Sequence, residues 1–284
     1  MWQRPTRSRV VIAGLLLALI VGGGTIWFVQ GEATDMAIET PVTAPSDAEL
    51  HRFAATRVFF GHQSVGANVI SGVESIYAAS EVQAPLITET RAPGNIDGGV
   101  LAHAYIGANG DPLGKFADFK AAVNGSVGQS IDVALLKLCY VDVVASTDVQ
   151  ALFDTYRATM EELEREHPSV RFIYTTVPLT TDRDWKSTIK YWLGRDDHMG
   201  PADNLARERY NDLIRRQYRD TGRLFDIASI EATMSSSPTQ RQSGEAIYYV
   251  LNAGLAVDPG HLNQLGASLA GAEFVRVIAA IGAE

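Results

Sequence analysis

The chain has 284 residues, 46% of them hydrophobic and 20% charged, with 25 glycines and 11 prolines. That composition excludes disordered, collagen-like and coiled-coil proteins and is long enough for one large domain or two small ones. The formal charge is −9; Arg4, Arg7 and Arg9 are the only charges in the first 30 residues, which leaves 21 basic against 33 acidic side chains, a surface unsuited to a phosphate backbone, so no nucleic-acid partner is expected.

Residues 1–9 form a basic segment, and residues 10–29, VVIAGLLLALIVGGGTIWFV, contain Thr25 as their only polar residue. Such a run suffices to span a bilayer. The arginines before it predict a cytoplasmic N-terminus and an extracytoplasmic body, periplasmic or on the cell surface. The run is longer than a usual signal-peptide core, which favours a retained transmembrane anchor, while Gly31 and Ala33 leave cleavage and secretion open. Residues 30–47 read as a linker rich in Thr, Pro, Ser and acids, and residues 48–284, free of repeats, as one domain.

Within that domain Arg57–Phe60 is a short apolar strand ending at Gly61, and a helical pattern follows from Ser64 to Tyr77. Residues 85–89 are a second strand and Asp132–Tyr140 a longer, almost wholly apolar one, as expected for a strand covered on both faces. Val149, Leu152, Phe153, Tyr156, Met160 and Leu163 recur every three or four residues and predict an amphipathic helix over 148–167. A strand over Val170–Val177, a charged helix over Asn204–Tyr218 stopped at Gly222, a strand over Leu224–Ile227 and a last helix over Leu262–Ile281 complete the pattern. Repeated strand-then-helix order predicts an α/β domain with a mainly parallel sheet and helices on both faces. Ligands in such folds bind at the carboxyl ends of the strands, here the loops after Phe60, Tyr140 and Val177.

Two segments carry candidate chemistry. In Phe59-Phe60-Gly61-His62-Gln63-Ser64-Val65-Gly66 a strand turns into a helix at a serine. Ser64 is either an N-cap, worth about 1 kcal/mol, or a nucleophile at a helix N-terminus whose amides and dipole stabilise an oxyanion. In Val257-Asp258-Pro259-Gly260-His261-Leu262-Asn263 an acid three residues before a histidine can fold back to accept a bond from the imidazole Nδ1–H. That would leave Nε2 to take a proton from a serine; the alternative is a turn-forming Asp258 and a first-turn helix residue His261.

Together the early Gly61-His62-Gln63-Ser64 and the late Asp258-Pro259-Gly260-His261 resemble the first and fifth blocks of the SGNH (GDSL-like) serine hydrolases. The resemblance spans residues 57–281 and implies a flavodoxin-like three-layer α/β/α domain and hydrolysis or transfer of acyl esters, often on carbohydrate. It also implies Ser64 as nucleophile, His261 as base and Asp258 as its partner. The chain departs from the pattern: it has no aspartate before Ser64, and the region Lys137–Asp142, where the third block should lie, has no asparagine. The second-block glycine is sought in Arg91–Gly99, with Gly94 as a second oxyanion donor, and Asn95 or Asn109 as stand-ins for the missing asparagine.

Other candidates have two readings each. His62 binds substrate or packs in its turn; Cys139, the single cysteine, is a thiol nucleophile paired with His261 or His103, or a small buried apolar residue. His103 and the Asp196-Asp197-His198 cluster suggest a metal or a solvated loop, and the spacing favours the loop. Trp185, with Asp182, Arg183, Tyr191 and Trp192, lines a sugar-binding cleft or packs its own loop. The sequence thus predicts a membrane-anchored, extracytoplasmic serine esterase acting on acyl, especially acetyl, esters with no cofactor or metal. A transferase acylating an envelope polysaccharide, or a non-catalytic tethered glycan-binding protein of the same fold, are the alternatives.

Overall fold

A computed structural model describes residues 43–281 apart from 95, 184–187, 190, 191, 195, 196, 235 and 236. The segments 1–9 and 10–29, most of the 30–47 linker, Asn95 and Trp185 therefore lie outside the described residues. The first element among the described residues is helix α1 (Asp47–Ala55), opened by a reciprocal cap between Ser46 and Glu49 that satisfies free N-terminal amides; it begins at the last residue of the segment read as linker.

Six parallel strands form the central sheet: β1 (Arg57–His62), β2 (Leu86–Glu89), β3 (Val100–Tyr105), β4 (Val133–Leu136), β5 (Arg171–Thr175) and β6 (Leu224–Phe225), in the order β2-β3-β1-β4-β5-β6. Alternate strand residues feed two cores. Val58, Phe60, Leu135 and Phe225 pack with α1, α2 (Ser64–Ala78) and the last helix α7 (Gln264–Ile281). Phe59, Ala102, Ala134 and Phe172 pack with α3 (Pro112–Asn124), α4 (Val149–Glu166) and α5 (Pro201–Tyr218). The result is a three-layer α/β/α domain. Burial on both faces explains the unbroken apolar runs of β1 and β4.

On the first face α2 and α7 cross on glycine. A Cβ on Gly72 would stand 1.9 Å from the Ala267 carbonyl oxygen, and one on Gly271 would stand 2.6 Å from the Gly72 carbonyl carbon. Helix α7 is apolar and long enough to cross a membrane, yet half of its apolar window is buried in the domain.

Several boundaries differ from the sequence reading. The strand expected over Asp132–Tyr140 pairs only from Val133 to Leu136, and residues 137–139 continue as buried, irregular chain. Ile227 ends no strand but starts the short helix α6 (Ile227–Ala232), because Asp226 caps it through the Ser229 amide. Beyond α6 the chain forms β7 (Thr233–Met234) and β8 (Ser237–Pro238), then the hairpin β9 (Gln240–Ser243) and β10 (Ala246–Tyr249), then the antiparallel pair β11 (Ala256–Asp258) and β12 (His261–Leu262).

Candidate active site

At the carboxyl edge of the sheet β1 runs straight into α2. Gly61 is required where the strand ends, since a Cβ there would stand 2.8 Å from Ile106 Cγ1. Gln63 is the N-cap residue and Ser64 the first helical one, so Ser64 is not the cap. Nor does the Gln63 side chain cap the helix: its Nε2 donates to the carbonyls of Ile106 (3.1 Å) and Gly107 (2.9 Å) in the loop after β3. The first turn of α2 therefore carries no capping side chain and no acid, which leaves the positive end of the helix open to an anion. Ser64 is half-buried, and among the described residues its hydroxyl makes no hydrogen bond.

The Asp258–His261 segment arrives from the other end of the chain. His261 Nδ1 lies 2.8 Å from Asp258 Oδ1 and 2.9 Å from Oδ2. A carboxylate only accepts, so Nδ1 carries the proton and Nε2 keeps its lone pair. Partial burial pushes the Asp258 carboxyl up, but the Gly260 amide and the His261 ring outweigh it and hold the group below its ordinary range. The turn is anchored on both sides. The Thr181 amide donates to the Pro259 carbonyl (2.9 Å), and the Leu262 amide donates to Asn68 Oδ1 (3.3 Å). Asn68 lies four residues beyond Ser64 on α2, hence on the same helix face one turn away. This bond seats the residue next to His261 against the helix that begins with Ser64.

Tyr140, in the segment after β4, stands beside His261, the two rings meeting edge-on at 6.4 Å between centroids. Gly260 is a glycine because a Cβ there would fall 2.6 Å from Tyr140 Cε1. Beneath Tyr140 lies the buried Arg207, whose Nε donates to the carbonyls of Tyr140 (2.9 Å) and Val143 (3.1 Å) and whose remaining nitrogens bond Thr180 Oγ1, Asn204 Oδ1 and the His198 carbonyl. One guanidinium thus ties together the segments after β4 and β5.

The other candidates are placed as follows. His62 is buried between Phe60 and Tyr105, with Nδ1 3.0 Å from the Gln63 carbonyl and Nε2 3.1 Å from His103 Nδ1; burial, with Lys137 and His103 nearby, lowers its pKa to about 4. Cys139 is buried, and its amide donates to Asp142. Gly94 sits exposed at φ +66°, in the stretch returning the chain from β2 to β3, with open space where a Cβ would be. Asn109 lies in the loop after β3, the strand next to β1, and its Oδ1 accepts from Lys115 Nζ at 3.0 Å. Asp197 pairs with Arg183, and among the described residues no three His, Cys, Asp or Glu side chains cluster as a metal site. Trp192 is 77% exposed.

A cavity of about 450 Å³ opens beside the acid, walled by Asp258 and Pro259, by Thr181 and Asp182, and by Thr239, Arg241 and Asn252 at the β9–β10 hairpin and its flanks. Its charges are paired internally, Arg241 Nε to Asp182 Oδ2 at 2.5 Å and Asp258 to His261. Sequence reasoning missed Tyr140 as a neighbour of His261, Gln63 as a tether, and Arg207 and Lys115 altogether. The signal for the last two was a cation on the apolar face of a helix.

No family model matches the chain, and no curated protein does. Solved structures similar in chain path include a lipase/acylhydrolase from Enterococcus faecalis (13% identity, TM-score 0.46, covering 80% of this chain and 96% of that one). A lipolytic protein of the G-D-S-L family from Desulfitobacterium hafniense is similar at 12% identity and TM-score 0.45, covering 78% and 99%. The periplasmic domain of a Salmonella Paratyphi A lipopolysaccharide acetyltransferase is similar at 13% identity and TM-score 0.39, covering 78% and 82%. These likenesses concern fold; the chemistry rests on the side chains of this chain.

Proposed function

We propose that the SGNH-like domain of this chain is a serine esterase, tethered to the outer side of a membrane through residues 10–29. The observation that carries the reading is the His261–Asp258 pair, fixed at 2.8 Å on a turn that docks onto the uncapped helix beginning with Ser64. In the reaction Ser64 Oγ attacks the ester carbonyl while His261 Nε2 takes the hydroxyl proton, and Asp258 holds the imidazole in the required tautomer and stabilises its cation. The tetrahedral oxyanion forms at the N-terminal amides of α2. Collapse breaks the ester bond, and His261 returns the proton to the departing alcohol. Water, deprotonated by the same histidine, then releases the acid from the acyl-serine.

The cavity beside Asp258 supports an acylated carbohydrate as substrate. Its hydroxyl and amide groups suit a hydroxylated ring, its aliphatic residues Ala256 and the exposed Val257 suit the C–H face of one, and among the described lining residues the one cation, Arg241, is paired with Asp182, which disfavours anionic sugars. The test is hydrolysis of a short-chain aryl acetate by residues 36–284, run beside Ser64→Ala and His261→Ala with circular dichroism to check folding. Turnover abolished by both substitutions is the expected result. Turnover that survives Ser64→Ala, or a folded parent inert towards both aryl acetate and acetylated oligosaccharides, would refute it.

A further inference from the structure

Helix α3 buries a lysine. Lys115 Nζ lies 2.5 Å from Asp142 Oδ2, and neither side chain is exposed to any extent. Desolvating two charges costs several kcal/mol per ion, and an apolar pair of equal volume often serves a core as well or better. The distinctive property of this pair is therefore its further bonds. Asp142 accepts the amides of Gly110 (2.8 Å) and Cys139 (2.6 Å), which joins the loop after β3 to the segment after β4. Lys115 gives its second bond to Asn109 Oδ1 at 3.0 Å. An ammonium only donates, so the amide oxygen of Asn109 must face it and Nδ2 must point away.

The loop that carries Asn109 is held to the Ser64 turn at its other end. Gln63 Nε2 bonds the Ile106 and Gly107 carbonyls, and the Ile106 amide donates to the His62 carbonyl at 3.1 Å. Gly107, the glycine of this loop nearest that turn, cannot serve as a donor, because its amide is spent on Asp118 Oδ2 at 2.7 Å. We infer that Asn109 Nδ2 is the side-chain donor to the oxyanion at Ser64, and that the buried Lys115–Asp142 pair is the device that positions it. This supplies, from a different strand end, the donor that residues 137–142 lack, and it rests on the serine esterase reading.

The test is a double-mutant cycle on aryl acetate hydrolysis with Asn109→Ala, Lys115→Met and the double variant, with Ser64→Ala as control. Asn109 is exposed, so its truncation leaves the fold standing. It is expected to lower kcat roughly 10²–10³-fold, the usual cost of one oxyanion donor, with little change in KM. Lys115→Met is expected to lower kcat at least tenfold, and the double variant to fall no further than Asn109→Ala alone. A purely structural lysine would instead give additive losses, and that result would overturn the positioning role. Should Lys115→Met fail to fold, Asp142→Asn takes its place in the cycle. Asn109→Ala retaining more than a third of the parental kcat, while Ser64→Ala is dead, overturns the inference and spares the esterase. Loss of the esterase itself, shown by Ser64-independent turnover, removes both.

Discussion

Acidification should weaken this domain through His62, an effect opposed by Glu208 and Glu231, whose carboxyls burial raises to about 7 and about 8. The ring is 1% exposed, and its neighbours are Phe60, Tyr105, His103 and, at longer range, the buried Lys137. The Gln63 carbonyl can only accept, so Nδ1 carries the hydrogen; Nε2 then accepts from His103 Nδ1–H, and a second proton, on Nε2, can bond only if His103 moves its own hydrogen to its Nε2. Burial, reinforced by Lys137 and His103, outweighs the favourable carbonyl and lowers the pKa from 6.5 to about 4. At His62 the unfolded chain binds a proton near 6.5 and the folded one does not, so the stability this residue contributes above pH 6.5 declines as the pH falls towards 4 and then levels. At ~1.4 kcal/mol per unit, the loss is roughly 3 kcal/mol. Urea unfolding of residues 36–284 between pH 8 and 4.5, beside His62→Phe, measures it. The variant should be weaker by about 1–2 kcal/mol at pH 8, where it forfeits two hydrogen bonds, yet lose far less on acidification, so the curves converge near pH 5. Parallel curves, or an imidazole titration of His62 by NMR with a midpoint above pH 6, would refute the reasoning.

Three further outcomes are expected. Gly72→Ala should cost more than about 3 kcal/mol in urea unfolding, because its Cβ would stand 1.9 Å from a backbone oxygen and the gain of ~1 kcal/mol in helix propensity is too small to offset that. Gly260→Ala should leave the melting temperature within a few degrees but lower kcat about 10–100-fold, since the methyl group displaces the Tyr140 ring and with it His261. Arg241→Ala should lower kcat/KM for an acetylated neutral oligosaccharide relative to aryl acetate by about tenfold, the equivalent of ~1.4 kcal/mol; an unchanged ratio would place the sugar elsewhere than the cavity walled by Arg241 and Asp182.

What the sequence reveals of this protein follows from whether the determinant is local. The strand–turn–helix at residues 57–78 is legible because apolar β-branched and aromatic residues end at a glycine, and the Asp258–His261 bond because its partners are three residues apart. Strand β3 is not legible: Ala102, His103 and Ala104 have weak strand preference, and pairing with β1 and β2 on either side decides the conformation instead. Helix α3 is hidden for a similar reason, since Lys115 interrupts its apolar face and only the distant Asp142 explains that burial. The role of Ser64 within its turn is ambiguous in sequence because any serine before a helix reads as a cap; the structure shifts the cap to Gln63 by one residue. Tyr140 beside His261, and Arg207 beneath it, join segments that no periodicity connects.

The glycine crossing of α2 and α7 also orders events in time. The two helices clamped there both begin at the site, α2 at Ser64 and α7 just past His261, and the bond from Leu262 to Asn68 closes a loop of 194 residues. Contacts so distant in sequence form late, after the entropy of closing the loop has been overcome. In a chain delivered N-terminus first, the serine helix waits with its apolar face uncovered until the last helix arrives. On the proposed serine esterase reading, Ser64 is thus placed early and stays inert until the segment around His261 docks beside its helix.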